Sequence, residues 1–350
     1  RLDRYVSDLP GSQPYDNWRP LNVPQRFAGL PLLEFLTQLH PHVERSEWEA
    51  IVKAGRVLLG NNQVGLDLIV REGMGLRHLI PNTVEPDVNA RIKIVFDDAN
   101  VVVVEKPAPL PVHACGRFNR NTLDWMLQQV YRPQRLKLVH RLDADTSGLM
   151  VIARHRRAAT ILQQLFQSNQ VSKVYLARSY GHPATDEFIS TAPISDGPEA
   201  EGLRIVAENG LPSETRVRVR ERFADGSSLL EVRPITGRTN QIRVHLWELG
   251  FPIVGDANYL PGRRLVRHSS KLPHDSPLCL HAWRLEMPNP FVSDTDDRSN
   301  DGSRYGWETE LPDWANASAG DFAARAANRT QADTAPTDSA PTNSEARLAR

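Results

Sequence analysis

Between His140 and Arg154 the chain changes character within a few residues, and this change constrains the fold more than any other stretch. His140-Arg141-Leu142-Asp143 places a base, a cation and a carboxylate within four residues. Asp145, Thr146, Ser147 and Gly148 follow; short polar side chains bond their own backbone and glycine tolerates positive φ, so a turn is expected. Leu149-Met150-Val151-Ile152-Ala153 then reads as a short strand buried on both faces. A carboxylate on a loop leading straight into a core strand is held firmly, as catalysis requires. The plainer reading is an ordinary turn between two elements.

The flanking sequence supplies the other elements. Ile92–Phe96 and Val101–Val104 are β-rich, Asn121–Tyr131 and Arg157–Phe166 carry apolar residues at helical spacing, and Val171–Ala177 alternates. Glu214–Arg222 and Ser228–Arg233 are expected to pair across Ala224-Asp225-Gly226. Gln241, Arg243 and His245 alternate, which suggests an extended face. Upstream, Leu32–Leu39 and Trp48–Val52 have helical spacing, with Ser46 and Glu49 at capping-box separation, and a strand begins at Arg56-Val57-Leu58-Leu59. Residues 1–27 read as an irregular extension, 28–84 as a small α/β domain, 92–318 as the main domain and 319–350 as a disordered tail rich in Ala, Thr, Ser and Pro.

Charge refines this picture. The whole chain has a net charge of +0, yet residues before Pro290 hold 36 basic against 31 acidic side chains. That mildly basic body is compatible with a polyanionic partner. Two cysteines without metal-site spacing, no Walker or dinucleotide glycine motif and no apolar run of spanning length lead us to expect no metal, no cofactor and no membrane partner, in a monomeric cytoplasmic protein.

His140-Arg141-Leu142-Asp143-Ala144-Asp145-Thr146-Ser147-Gly148-Leu149 closely resembles the signature of the RluA-like pseudouridine synthases. So, in the same order, do the strand and loop through Glu105-Lys106-Pro107, the Lys173-Val174-Tyr175-Leu176-Ala177 strand, and Thr236-Gly237-Arg238-Thr239-Asn240-Gln241-Ile242-Arg243. The family more often has histidine at Asn240 and glycine at Pro109. The resemblance implies an α+β catalytic domain on a mixed, mostly antiparallel sheet, isomerising uridine in structured RNA, with rRNA favoured and tRNA the other substrate. It implies catalytic roles for Asp143, Tyr175 and Arg243, with Arg243 paired to Asp143 and Tyr175 against the base. Arg141 would fill the gap left by the flipped nucleotide, and His140, Lys173, Arg238 and Gln241 would contact substrate. Whether Asp143 attacks the sugar or removes a proton stays open. Pro41…Arg45-Ser46…Gly55-Arg56-Val57 resembles the RNA-binding domain named after the S-four ribosomal protein, which implies RNA contacts from Arg45, Lys53 and Arg56. Two other readings remain: an RNA-binding protein that has lost catalysis, and a glycoside hydrolase using Asp143 with Asp145. Asp145 more simply reads as a turn residue.

Overall fold

The computed structural model describes residues 9–267, 271–291 and 304–316. The 319–350 tail therefore lies outside the described residues. Two compact units are present: one takes residues 9–86 with the loop Cys115–Arg120, the other Asp87–Ala114 with the described residues from Asn121 onward.

The N-terminal unit is a four-stranded sheet with two helices on one face. Its elements are β1 (Tyr15–Asn22), α1 (Leu32–Leu39), α2 (Arg45–Lys53), β2 (Val57–Leu59), β3 (Asn62–Gln63) and β4 (Gly75–Thr83). The sheet order is β1-β4-β2-β3 and the core joins Leu21, Val57 and Leu76 of the strands to Leu32, Phe35, Leu36 and Trp48 of the helices. Two expectations need correction. Residues 15–22 are not irregular but form an edge strand, where Pro20 is tolerated because an edge has unpaired backbone positions. The Ser46–Glu49 capping box does not form: α2 starts one residue before Ser46, with Glu44 at the N-cap and no side-chain cap bond.

The second unit is built on one large sheet. Chain order runs β5 (Lys93–Asp97), β6 (Val101–Lys106), α3 (Leu123–Val130), β7 (Lys137–Leu138), β8 (Ser147–Ala153), α4 (Arg156–Gln167), β9 (Ser172–Tyr180), β10 (Glu187–Ser190), β11 (Thr215–Arg222), β12 (Ser227–Pro234), α5 (Gln241–Glu248), β13 (Tyr259–Leu260), β14 (Arg264–Leu265), β15 (Leu280–Pro288), β16 (Arg304–Glu308) and α6 (Asp313–Asn316). The strand order β10-β11-β12-β9-β15-β8-β6-β5 is antiparallel except where β15 meets β8. The sheet is thus mixed and mostly antiparallel, in an α+β fold. Trp307 of β16 pairs with Leu285 of β15, and Trp314 belongs to the short α6.

Leu149, Val151 and Ala153 of β8 pack with Val101 and Val103 of β6 and with Ala158 and Leu162 of α4. Complete burial of a side chain such as Leu162 contributes roughly 1.5–3 kcal/mol. At the parallel junction Gly148 sits opposite Ala282 with φ +113, and a Cβ there would lie 2.3 Å from the Ala282 carbonyl oxygen. Only glycine permits this approach. Gly148→Ala is expected to lower unfolding stability by at least about 2 kcal/mol in denaturant titration, because it combines backbone strain with a forced separation of β8 from β15; an unchanged midpoint would show that the strands can part freely.

The stretch from Gln241 corrects a further expectation: it is the helix α5, not an extended face. All residues from Gln241 to Trp247 are buried, so apolar periodicity carries no signal that separates helix from strand. Asn240 precedes α5 in the left-handed region at φ 57, which asparagine adopts more readily than most residues.

Candidate active site

The Asp143 loop is pinned from its buried side. Lys106 at the end of β6 is fully buried, and its ammonium donates to the carbonyls of Pro107 (2.9 Å), Leu110 (2.9 Å) and Ala144 (3.0 Å). Ala144 O also accepts from Leu110 N at 2.9 Å, and Thr146 N donates to Asp143 O at 3.2 Å. Burial pushes the Lys106 ammonium down to about 7, opposed by the charges of Asp145 and Asp143. A lysine whose three donors meet three carbonyls locks the segment that carries Asp143. The sequence showed Lys106 only as part of a stiff loop.

Arg243, on the first turn of α5, reaches Asp143 with Nη1 3.3 Å from Oδ2. Its stronger partner is Asp256: Nε to Oδ2 and Nη2 to Oδ1 are both 2.8 Å, a bidentate pair with the Asp256 side chain wholly buried. Nη2 also donates to Asn258 Oδ1 at 3.0 Å and Nη1 to Asn240 Oδ1 at 3.3 Å. Burial works against the guanidinium charge, but the bonds and charge of Asp256, with Asp143, outweigh it and raise its pKa. Gly255, at φ +76 and without room for a Cβ beside Pro277 O, allows the turn that aims Asp256 inward. Sequence reasoning gave Asp256 no role; an acidic residue preceded by glycine, among otherwise uncharged neighbours, was the available signal.

Tyr175 and Lys173 share a face of β9, as the alternation predicted. Both line a cavity of about 620 Å³ together with Asp143, Arg141, Arg238 and Arg243. The Tyr175 phenol is held well above its ordinary pKa, first by burial and then by the negative charge of Asp143, so it remains neutral at physiological pH. Lys173 Nζ donates to Thr236 O at 3.3 Å, and burial lowers its pKa. Arg141 is exposed at the rim, and Arg238 donates to Pro212 O at 3.1 Å from an exposed loop. Among the described residues, Asp143 is the only acidic side chain lining this cavity.

Two expected substrate contacts have their polar atoms engaged inside the protein. Gln241 accepts from Thr236 Oγ1 and Arg238 N and donates to Glu214 O and Thr215 Oγ1, at 2.7–3.0 Å, so it shapes the 236–238 loop. His140 stacks on Phe166 at 4.3 Å and accepts from Val151 N at 2.9 Å; burial, then Lys173, pushes its imidazole down to about 3. His140 is therefore neutral and forms wall. His245 lies off the cavity, bonded to Thr215 Oγ1 and Ala192 O. Asp145 does not bond its own loop as expected: its Oδ1 accepts from Lys271 N at 3.3 Å, and burial raises its pKa against the pull of Arg243. In the N-terminal unit, Arg45 and Lys53 form exposed ion pairs with Glu34 and Glu49, while Arg56 is exposed.

An arginine-braced carboxylate in a cation-lined cavity suits chemistry on an anionic polymer. Among the described residues no cluster of metal-ligating side chains is present, and no helix is long and apolar enough to cross a membrane. Residues 100–248 match the family described as RNA pseudouridylate synthase, a span that includes Asp143, Tyr175 and Arg243. The chain is 34% identical over 321 residues to ribosomal large subunit pseudouridine synthase D of Nitrosomonas europaea, with 88% of each covered. It is 35% identical over 224 residues to the dual-specificity RNA pseudouridine synthase RluA of Vibrio vulnificus, covering 61% of this chain and 89% of that one. Among solved structures, human RNA pseudouridylate synthase domain containing 4 is similar at TM-score 0.50 and 26% identity, covering 68% of this chain and 93% of that one. The chain belongs to the RNA pseudouridine synthases, isomerases that convert uridine in RNA to pseudouridine.

Proposed function

We propose that the cavity takes a single uridine flipped out of ribosomal RNA and that Asp143 performs the isomerisation on it. The observation that carries this reading is the lone carboxylate in a cavity otherwise lined by cations, amides and apolar groups, with Arg243 beside it. Base and ribose must leave the stack for any side chain to reach the glycosidic bond. Arg141 at the exposed rim then occupies the space the base vacates, and Lys173 and Arg238 face the phosphates on either side.

The reaction breaks the bond from ribose C1′ to uracil N1 and forms one from C1′ to C5. The C5 proton is lost and N1 regains one, so the atoms balance without redox change. Asp143 is the group placed to attack C1′ or to take a proton, and neutral Tyr175 covers the base. Gln241 and His140 act through the walls they hold. The N-terminal unit, two helices against a small sheet, is an S-four-type module that adds RNA affinity. Ribosomal RNA is favoured because relatives whose names specify the large ribosomal subunit match across most of the chain.

The test is tritium release from RNA labelled at uridine C5, supplied separately as large-subunit ribosomal RNA and as total tRNA. Release from the ribosomal RNA is the expected result. Release confined to tRNA would overturn the substrate assignment, and release from neither would overturn the catalytic reading.

A further inference from the structure

We propose that the N-terminal unit binds single-stranded RNA on the open face of its sheet, where Trp18 and Arg77 form a stacking platform, and not on its helices. This rests on the RNA role proposed for that unit. The two helices cover one face only, packing on Leu21, Val57 and Leu76. Residues paired across neighbouring antiparallel strands share a face. The register pairs Trp18 with Leu79, Pro20 with Arg77, and Arg77 with Leu58. These five side chains therefore lie together on the face turned away from the helices.

Trp18 is 38% exposed, a large aromatic surface left uncovered on a sheet. The Arg77 guanidinium lies 5.3 Å from its ring centroid and is steadied by hydrogen bonds to Gly60 O and Asn61 Oδ1. No described carboxylate pairs with Arg77, so its charge is not cancelled. Arg56 joins the same region: its carbonyl accepts from Leu79 N at 2.8 Å, and its exposed side chain has no partner among the described residues. None of Trp18, Pro20, Leu58, Arg77 and Leu79 is acidic.

The helical side has the opposite character. Glu34, Glu44, Glu47 and Glu49 outnumber Arg45 and Lys53, and both cations are already paired with carboxylates. A phosphate backbone approaching the helices meets net negative charge; approaching the open sheet it meets Arg77 and Arg56 against one exposed carboxylate of β1, Asp16. Unstacked bases are recognised by aromatic rings and guanidinium planes, which this face supplies side by side.

Binding of a short fluorescein-labelled single-stranded RNA to the full chain, followed by anisotropy, tests the assignment. Trp18→Ala and Arg77→Ala are each expected to weaken binding by about tenfold, with Trp18→Phe restoring affinity to within about threefold. The double variant Arg45→Ala/Lys53→Ala removes the helix-face cations that the sequence resemblance implicates and is the comparison that separates the two faces. It is expected to weaken binding by less than about twofold, because both cations are already paired with carboxylates. With 5-iodouridine in the RNA, the photoadduct is expected on the peptide containing Trp18. Wild-type affinity in Trp18→Ala, or loss confined to the helix-face variant, would overturn the platform. Tritium release by the wild type is read separately, so failure here leaves the catalytic assignment standing.

Discussion

Asp143→Asn is expected to reduce tritium release at least about a thousandfold, the scale of losing a reacting nucleophile or base. The substitution keeps the shape of the side chain and removes one charge. The loop does not depend on that charge for its position: Lys106 and Leu110 hold the Ala144 carbonyl, and Thr146 N holds the Asp143 carbonyl. Arg243 does not depend on it either, because Asp256 makes two shorter contacts from the other side. The variant is therefore expected to melt within about 3 °C of wild type and to bind RNA with similar affinity. Loss of activity with intact folding and binding assigns the chemistry to the carboxylate. Activity within tenfold of wild type would remove Asp143 from the reaction and direct attention to Tyr175.

The parts of this molecule that were legible in the sequence are those with an alternating pattern, a turn signal or a sharp change of character. Val171–Ala177 alternates because β9 sits between β12 and β15 with Tyr175 toward the cavity. The hairpin of β11 and β12 announced itself through Asp225-Gly226, and the polar-to-apolar change after Asp143 marks the entry into β8. Legibility failed where a helix is buried all round or where a partner is remote. Every side chain of α5 from Gln241 to Trp247 is buried, so the same residues suggested a strand. Asp256 is 13 residues from Arg243 and Lys106 is 38 from Ala144; no local spacing announces either contact. β1 was missed because the prolines scattered through residues 1–27 suggested irregular chain, whereas an edge position accommodates Pro20, the one that falls inside the strand. Family resemblance named groups that line the cavity. The groups that hold them in place became visible only in three dimensions.

Asp256→Ala tests that holding arrangement, and the expected cost is about 3–5 kcal/mol of unfolding stability, or a melting temperature lowered by roughly 10 °C. The argument turns on where the Arg243 charge would go. The Arg243 side chain is 8% exposed and that of Asp256 fully buried, so removing the carboxylate leaves a cation that water cannot readily reach. Asp143 is the remaining carboxylate partner, at 3.3 Å with one nitrogen, and a guanidinium drawn wholly onto it would lose its alignment with Asn240 and Asn258. Tritium release should therefore fall as well, through kcat more than KM. Asp256 Oδ1 also accepts from Asn258 N and Tyr259 N, and losing those bonds contributes to the cost. The double variant Asp256→Ala/Arg243→Met separates the two contributions. It lacks the same backbone acceptor but carries no orphaned charge, so it should recover a large part of the stability while staying inactive. A double variant no more stable than Asp256→Ala would show that Asp256 supports the 256–259 turn and does not serve chiefly to neutralise and aim Arg243.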